Sequence, residues 1–376
     1  MRDALNVLYC VPIGERGGVE RFLGDVILRH DRERVRPTVL AFSDGAWLRE
    51  LASRGVNVHC VAGMRFRRPL HAFRVVSEIV KKERIELVHA AYPWCHALSA
   101  PAAAWNRCRQ IWFHHGPMSR SIWQGAMPLV PADLVLVNSD FLRRRLQRTL
   151  YVARRTEVLH YGIDVESFRP DAVKRQRFRE HWNIDGKTIA VGLVGFVDRW
   201  KGQDIFLKAA LLLRDGIPGL RMFVIGGPRG GQAEKDCRAF QTQLESFAAQ
   251  NRLENIVSFT GHVDVREGAL DGLDIFVHAS TEPEPFGMVL LEAMAKNKAI
   301  LASAEGGPAE IFTDGTDAML LTPGDPEMLA KRIRMLAADE GLRHSLGRQA
   351  QQTVSERFSA ERATKAMERI YDEVMQ

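Results

Sequence analysis

The densest chemistry in the 376-residue chain lies in the segment HASTEPEPFGMVLLEAMA, from His278 to Ala295. A β-branched run ends there on His278, the chain turns through Pro283, Pro285 and Gly287, and a helix pattern carrying Glu292 follows. Glu284 and Glu292 are separated by seven residues, which puts the first in the loop and the second in the first turns of the helix. Both reach a ligand placed at that helix's N-terminus, where unpaired amides and the dipole favour a phosphate. A carboxylate beside a diphosphate is electrostatically costly. Glu292 is therefore read as accepting hydrogen bonds from ribose hydroxyls, and Glu284 as meeting a sugar beyond them.

Charge to balance such a diphosphate is available in the segment after Gly195. Lys201 is suited to neutralise a phosphate leaving group, with Arg199 two residues before it as a second positive charge. Near the start, Gly17 and Gly18 follow the first strand without completing the G-x-G-x-x-G dinucleotide fingerprint. They allow close backbone approach, as they would equally allow an ordinary tight turn. His114 and His115 end another strand, and a histidine there can hydrogen-bond a sugar. Strand alternation lets either one face inward, and His115 is the choice made here. No Asp-x-Asp pair occurs anywhere in the chain, so no metal is expected at this site.

These residues must be positioned by a frame that is legible in outline. Short β-branched runs alternate with helix-length segments from end to end, which predicts βαβ units and an α/β fold with parallel sheets. Six strands are expected in each half, from Asn6–Val11 to Leu134–Asn138 and from Ile189–Gly195 to Met319–Leu321. Each half opens alike with strand, glycine-containing turn and helix. Gly162 and Pro170 punctuate the stretch between them, so the domains are read as 1–170 and 171–358. Ser359 then caps a final helix, 359–376, expected to pack back on the first domain. Open parallel sheets bind ligands beyond the carboxyl ends of their strands, so two facing sheets would form a cleft lined by loops.

Composition narrows the class. The apolar content of 46% supports ample cores, and the apolar stretches break well before the ~20 residues of a membrane span. The start, Met1-Arg2-Asp3, leads into an apolar segment broken at Pro12, too short for a secretory signal, so a cytoplasmic location is expected. Five scattered cysteines make neither a disulfide framework nor a zinc site. The net charge of +6 is uneven: residues 1–170 hold 26 Lys/Arg against 16 Asp/Glu, the remainder 26 against 30. No nucleic-acid recognition motif accompanies the basic half. Its Arg65-Phe66-Arg67-Arg68 run and the series Arg143, Arg144, Arg145, Arg148, Arg154, Arg155 suit an anionic membrane surface, peripheral on the inner face, or an anionic acceptor.

The ordered set of motifs resembles glycosyltransferase family 4, retaining enzymes of the GT-B fold. Its carriers are Gly17-Gly18-Val19-Glu20, Val137-Asn138-Ser139, Lys201-Gly202-Gln203, the Glu-x7-Glu pattern from Glu284 through Phe286-Gly287 to Glu292, Gly306-Gly307-Pro308-Ala309-Glu310 and Leu321-Thr322-Pro323-Gly324-Asp325. The resemblance spans nearly the whole chain. It implies two Rossmann-like domains, a nucleotide-sugar donor on the second, with Glu292 at the ribose and Lys201 at the phosphates, and a glycan, lipid-linked or small acceptor on the first. It also implies a histidine comparable to His115 beside the donor sugar. The chain departs from the family at Phe196, where an arginine commonly follows the first glycine. A nucleotide-sugar 2-epimerase on the same fold and a catalytically silent nucleotide-sugar-binding protein are the alternative readings.

Overall fold

The computed structural model describes residues 4–15, 17–61, 69–116, 129–148, 155–229, 233–263 and 268–376. Within them the chain divides into two compact units, Met1–Asp164 with Phe358–Gln376, and Val165–Arg357. The division thus falls at 164/165, ahead of the position read from Pro170, and the last helix belongs to the first unit. The runs Arg65–Arg68 and Arg154 lie outside the described residues.

In the first unit the strands are β1 Leu5–Val11, β2 Val35–Ala41, β3 Asn57–Cys60, β4 Leu87–Ala91, β5 Arg109–His114, β6 Leu134–Val137 and β7 Thr156–Val158, and the helices are α1 Gly18–Arg29, α2 Ala46–Ser53, α3 Pro69–Lys82, α4 Pro93–Trp105 and α5 Asp140–Gln147. All pair in parallel in the order β3-β2-β1-β4-β5-β6-β7. Among the described residues the sheet therefore has seven strands, not six. The extra one, β7, is three half-buried residues on an edge, too short to show an alternating pattern. Central strands such as β4 are buried on both faces, which is why they read as continuous apolar runs.

The second unit holds β8 Ile189–Val194, β9 Leu220–Ile225, β10 Val257–Gly261, β11 Ile275–His278, β12 Ala299–Ser303 and β13 Met319–Leu321, with helices α6 Ala172–His181, α7 Gln203–Leu213, α8 Glu234–Gln250, α9 Ala269–Gly272, α10 Met288–Ala295, α11 Pro308–Ile311, α12 Pro326–Ala338 and α13 Glu340–Arg357. Its six strands are parallel in the order β10-β9-β8-β11-β12-β13. Asp171 and Asp325 cap α6 and α12 by accepting the amides of Lys174 and Met328. Both sheets reverse strand order once, between β1 and β4 and between β8 and β11. Ligands of open α/β sheets bind at such reversals, outside the carboxyl ends of the strands.

The final helix, α14 Ala360–Val374, is capped by Ser359, whose hydroxyl accepts the Arg362 amide. Its buried positions, Ala360, Ala363, Thr364, Met367, Ile370 and Tyr371, recur at helical spacing and lay one face on the first unit. A buried polar line fixes it there. Glu368 Oε1 accepts from His30 Nδ1 at 3.0 Å, and His30 Nε2 lies 2.7 Å from the Tyr9 hydroxyl. Tyr371 Oη donates to Tyr9 Oη at 2.8 Å and lies 2.7 Å from His89 Nδ1. A carboxylate only accepts, so each bond in this line has a fixed direction: His89 to Tyr371 to Tyr9 to His30 to Glu368.

Candidate functional site

In the second unit the loops on either side of the β8/β11 reversal are joined by side chains. After β8 a short turn, Arg199–Lys201, leads into α7 through Gly202. Gly202 sits at φ +73, and a Cβ there would lie 1.9 Å from the Ala279 carbonyl oxygen. Only glycine lets the turn press against the chain leaving β11. The Trp200 carbonyl accepts the Thr281 amide at 2.8 Å, closing the two loops together.

The functional side chains follow from that closure. Lys201 Nζ donates to Glu284 Oε2 at 2.5 Å and sits 3.9 Å from the centre of the Trp200 ring. His278, the last residue of β11, places Nε2 3.4 Å from the same oxygen and 3.1 Å from Ser280 Oγ. Glu284 is 8% exposed. Burial alone would raise its pKa, but the Lys201 ammonium and the His278 contact outweigh burial and hold the carboxyl at about 2. Burial depresses His278 despite Glu284 beside it, so the imidazole is neutral.

Beyond Glu284 the chain is held by the Gly306–Gly307 turn. Glu284 pairs with Gly306 as an isolated bridge, and its carbonyl accepts the Gly307 amide at 2.8 Å. Phe286 is buried beneath this turn at 1% exposure, and Gly287 precedes α10 as its N-cap. Glu292 is buried on α10. A half-buried ammonium paired with a buried carboxylate, a helix N-terminus and a second carboxyl group thus occupy one end of one sheet.

Arg199 does not join this group. Its guanidinium donates to Gln243 on α8 at 3.0 Å and lies 4.8 Å from the Phe240 ring centre, while Phe196 is 52% exposed.

The first unit has its own constellation at the β1/β4 reversal. Gly17 is the N-cap of α1 in extended conformation, open to any residue, but a Cβ there would meet Glu20 Oε2 at 2.4 Å. A side chain there would push the Glu20 carboxyl group from its present place. Glu20 is buried, its pKa raised by burial, and its Oε1 accepts from the Tyr92 hydroxyl at 3.0 Å. Tyr92 carries this bond from a φ of +74, directly after β4. Such strain costs of order 1–3 kcal/mol and collects at functional positions.

His115 stands beside them, its ring centre 5.4 Å from that of Tyr92 and its Nδ1 2.7 Å from the Tyr161 hydroxyl. His114 turns the other way, against Trp112, with Arg145 nearby. Both are buried. Of the pair, His115 shares the Gly17–Glu20 side.

Residues that sequence reasoning did not single out are His278, Ser280 and Trp200 in one unit and Glu20, Tyr92 and Tyr161 in the other. Two carried a signal: Glu20 stands in the glycine motif, and His278 opens the richest segment.

Two Rossmann-like units of parallel sheet, each with polar groups gathered at its strand-order reversal, define the GT-B class. The solved structure of Anabaena Alr3699/HepE with UDP and glucose shares this fold at a TM-score of 0.85 and 23% identity, covering 98% of this chain and 99% of that one. A glycosyltransferase from Rickettsia africae does so at 0.83 and 20% identity over the whole of both chains.

Two family models match in succession: Glycosyltransferase Family 4 over residues 16–167 and Glycosyl transferases group 1 over 174–353. The chain belongs to glycosyltransferase family 4. Among curated relatives, the D-inositol 3-phosphate glycosyltransferase of Corynebacterium jeikeium is 29% identical over 292 residues, 75% of this chain and 67% of that protein. The putative glycosyltransferase EpsD of Bacillus subtilis is 30% identical over 246 residues, 64% and 61% of the two chains. The match thus spans about two thirds of the length of these relatives or less.

Proposed function

We propose that the protein transfers a sugar from a nucleotide-diphosphate sugar, a UDP- or GDP-sugar, to a hydroxyl of a glycan, lipid-linked or small acceptor, with retention at the anomeric carbon and without a metal ion. The observation that carries this reading is the Lys201–Glu284 pair at the β8/β11 reversal, next to the N-terminus of α10. Lys201 meets the charge that grows on the leaving diphosphate, the role a divalent cation takes elsewhere. Glu292 accepts from the ribose hydroxyls and Glu284 from hydroxyls of the sugar. The bond from the anomeric carbon to the β-phosphate oxygen breaks as the bond to the acceptor oxygen forms on the same face. The acceptor proton passes to the leaving phosphate, and the nucleoside diphosphate departs. Glu284 orients the sugar and does not attack it. In the first unit, His115 and the Gly17–Gly18 loop are the groups proposed to address the sugars.

UDP-glucose is the first donor to test, since Anabaena Alr3699/HepE has been solved with it. The protein is incubated with UDP-glucose or GDP-mannose and a panel of hydroxyl acceptors, with and without EDTA, and the product is examined by NMR. A glycoside with the donor's anomeric configuration, formed equally with EDTA, is expected. An inverted linkage removes the retaining mechanism, and inactivation by EDTA that Mg2+ reverses removes the metal-free site. Nucleotide release with a C2-epimerised sugar makes the protein an epimerase; binding without product makes it a silent binder.

The first unit is further proposed to dock on an anionic leaflet. On α3 and α4, Leu70 and Trp105 are 76% and 73% exposed, and Phe73 meets Trp105 edge-on at 6.3 Å. The Arg65–Arg68 run immediately precedes α3 in sequence. Each basic residue at such a leaflet contributes about 1 kcal/mol. Sedimentation with anionic but not neutral vesicles, weakened by salt and by Trp105→Ser, is expected; no binding at low salt overturns the docking. Among the described residues no helix is long and apolar enough to cross a membrane.

A further inference from the structure

Resting on the donor site just described, we propose that His278 is a positioning residue that takes over Glu284 when the donor's diphosphate draws Lys201 away. Lys201 and His278 both address one oxygen of Glu284, Oε2. The two contacts are unequal. The ammonium is well within hydrogen-bond distance, and the imidazole, at 3.4 Å, is near the limit of it. Glu284 therefore leans toward Lys201.

A diphosphate at the N-terminus of α10 competes for the same ammonium, and a carboxylate that loses the cation beside it in a buried site either takes up a proton or shifts. His278 supplies the alternative. An ionised carboxylate only accepts, so the imidazole faces it with Nε2–H, and the same N–H lies within reach of Ser280 Oγ at 3.1 Å. Nδ1 is then a bare lone pair, and it has no hydrogen-bond partner among the described residues.

The backbone that aims the ring is itself pinned. Ser303, ending β12, donates to the Ser280 carbonyl at 2.7 Å and lies 3.3 Å from the His278 carbonyl. With the ring 4% exposed and its backbone fixed from the neighbouring strand, Nε2 is the stationary donor of the group and Lys201 the movable one. The charged groups facing His278 are Glu284 from the loop after β11 and Lys201 from the turn after β8. As Lys201 leaves, Oε2 closes on Nε2, keeping Glu284 ionised and its position fixed for the sugar.

Two isosteric variants separate this role from simple packing, because glutamine places its amide nitrogen near the site of Nε2 and asparagine near that of Nδ1. Calorimetry with UDP and with UDP-glucose is combined with the pH dependence of UDP release from UDP-glucose, for wild type, His278→Gln, His278→Asn and His278→Leu. UDP also draws Lys201 from Glu284 but carries no sugar for Glu284 to hold. Its binding should therefore weaken by about threefold in the asparagine and leucine variants, less than that of UDP-glucose, and stay within about twofold in His278→Gln. UDP-glucose binding and UDP release should fall about tenfold or more in His278→Asn and His278→Leu, and stay within about threefold in His278→Gln. The acid limb of UDP release should move upward by about one pH unit in the two impaired variants.

Unchanged UDP-glucose binding and an unmoved acid limb in His278→Asn overturn the inference and leave the proposed activity standing. So does equal weakening of UDP and UDP-glucose in the asparagine and glutamine variants alike, which assigns the histidine to packing. Wild-type protein that binds UDP but neither binds nor cleaves UDP-glucose, GDP-mannose or related donors overturns the donor reading, and this inference with it.

Discussion

Lys201 and Glu284, 83 residues apart in the chain, meet at 2.5 Å across the strand-order reversal of the second sheet. The first sheet carries a counterpart at its own reversal, where Tyr92 donates to Glu20 at 3.0 Å. In both units the polar contact links the segment after the first strand to the segment after the strand that reverses the order. The pairs differ in charge. The second-unit pair joins an ammonium to a carboxylate, whereas Glu20 is a buried carboxyl group bound to a phenol.

Removing either member of the Lys201–Glu284 pair is expected to separate binding from turnover. Lys201→Ala should lower UDP release about a hundredfold, in the range seen when one preorganised charge is lost. It should also weaken UDP. Glu284→Gln should leave UDP affinity within about threefold and reduce turnover by tenfold or more. Calorimetry with UDP and a coupled assay of UDP release check both. Identical losses of UDP affinity in the two variants would remove the division of roles.

Glu292→Ala is expected to weaken UDP about tenfold or more, because hydrogen bonds to a charged acceptor contribute about 1.5–3 kcal/mol. Affinity for inorganic pyrophosphate should be unaffected. A nucleotide affinity equal to wild type counts against the ribose assignment.

Stability should fall in mild acid, before ordinary carboxyl groups titrate. Burial depresses His89 to about 3, His96 to about 4 and His114 to about 4, from an ordinary value of 6.5. The unfolded chain takes up protons at these positions that the folded chain refuses. Their effect is absent above pH 6.5 and grows as the pH falls toward about 4. Three such groups give a slope of about 4 kcal/mol per pH unit within that window. Denaturant midpoints at pH 7, 6 and 5 measure it; a flat profile would show that other titrations cancel the histidines.

Tyr371→Phe should loosen the final helix. It leaves the Tyr9 oxygen without its donor and His89 Nδ1 without its acceptor, each buried. Leaving such groups unsatisfied costs about 1–3 kcal/mol each. Hydrogen exchange should show α14 opening more readily than in wild type, with the first unit's unfolding temperature lowered by several degrees. Protection equal to wild type throughout α14 would mean that its apolar face alone fixes it.

The sequence by itself determined what local chemistry can carry. β-branched runs broken by glycine and proline declared twelve of the parallel strands, because strand and turn signals need only neighbouring residues. The segment from His278 to Ala295 likewise announced a strand, a proline-rich loop and a helix bearing Glu292. Ser359 marked the start of α14. Tertiary structure decided the rest. Edge strand β7 is too short to carry a period, and its identity comes from pairing with β6. Arg199, two residues before Lys201, was read as a second phosphate contact, yet it turns to Gln243 and Phe240 because a helix from another part of the chain lies on that side. Tyr92 adopts its strained backbone where its hydroxyl reaches Glu20. Glu284 holds its charge in a buried place because two β-loops closed over Gly202 bring Lys201 and His278 to one oxygen. Which side chains meet, and therefore which proton a buried group keeps, depends on loop closure and strand order, and neither is written in the spacing of residues along one segment.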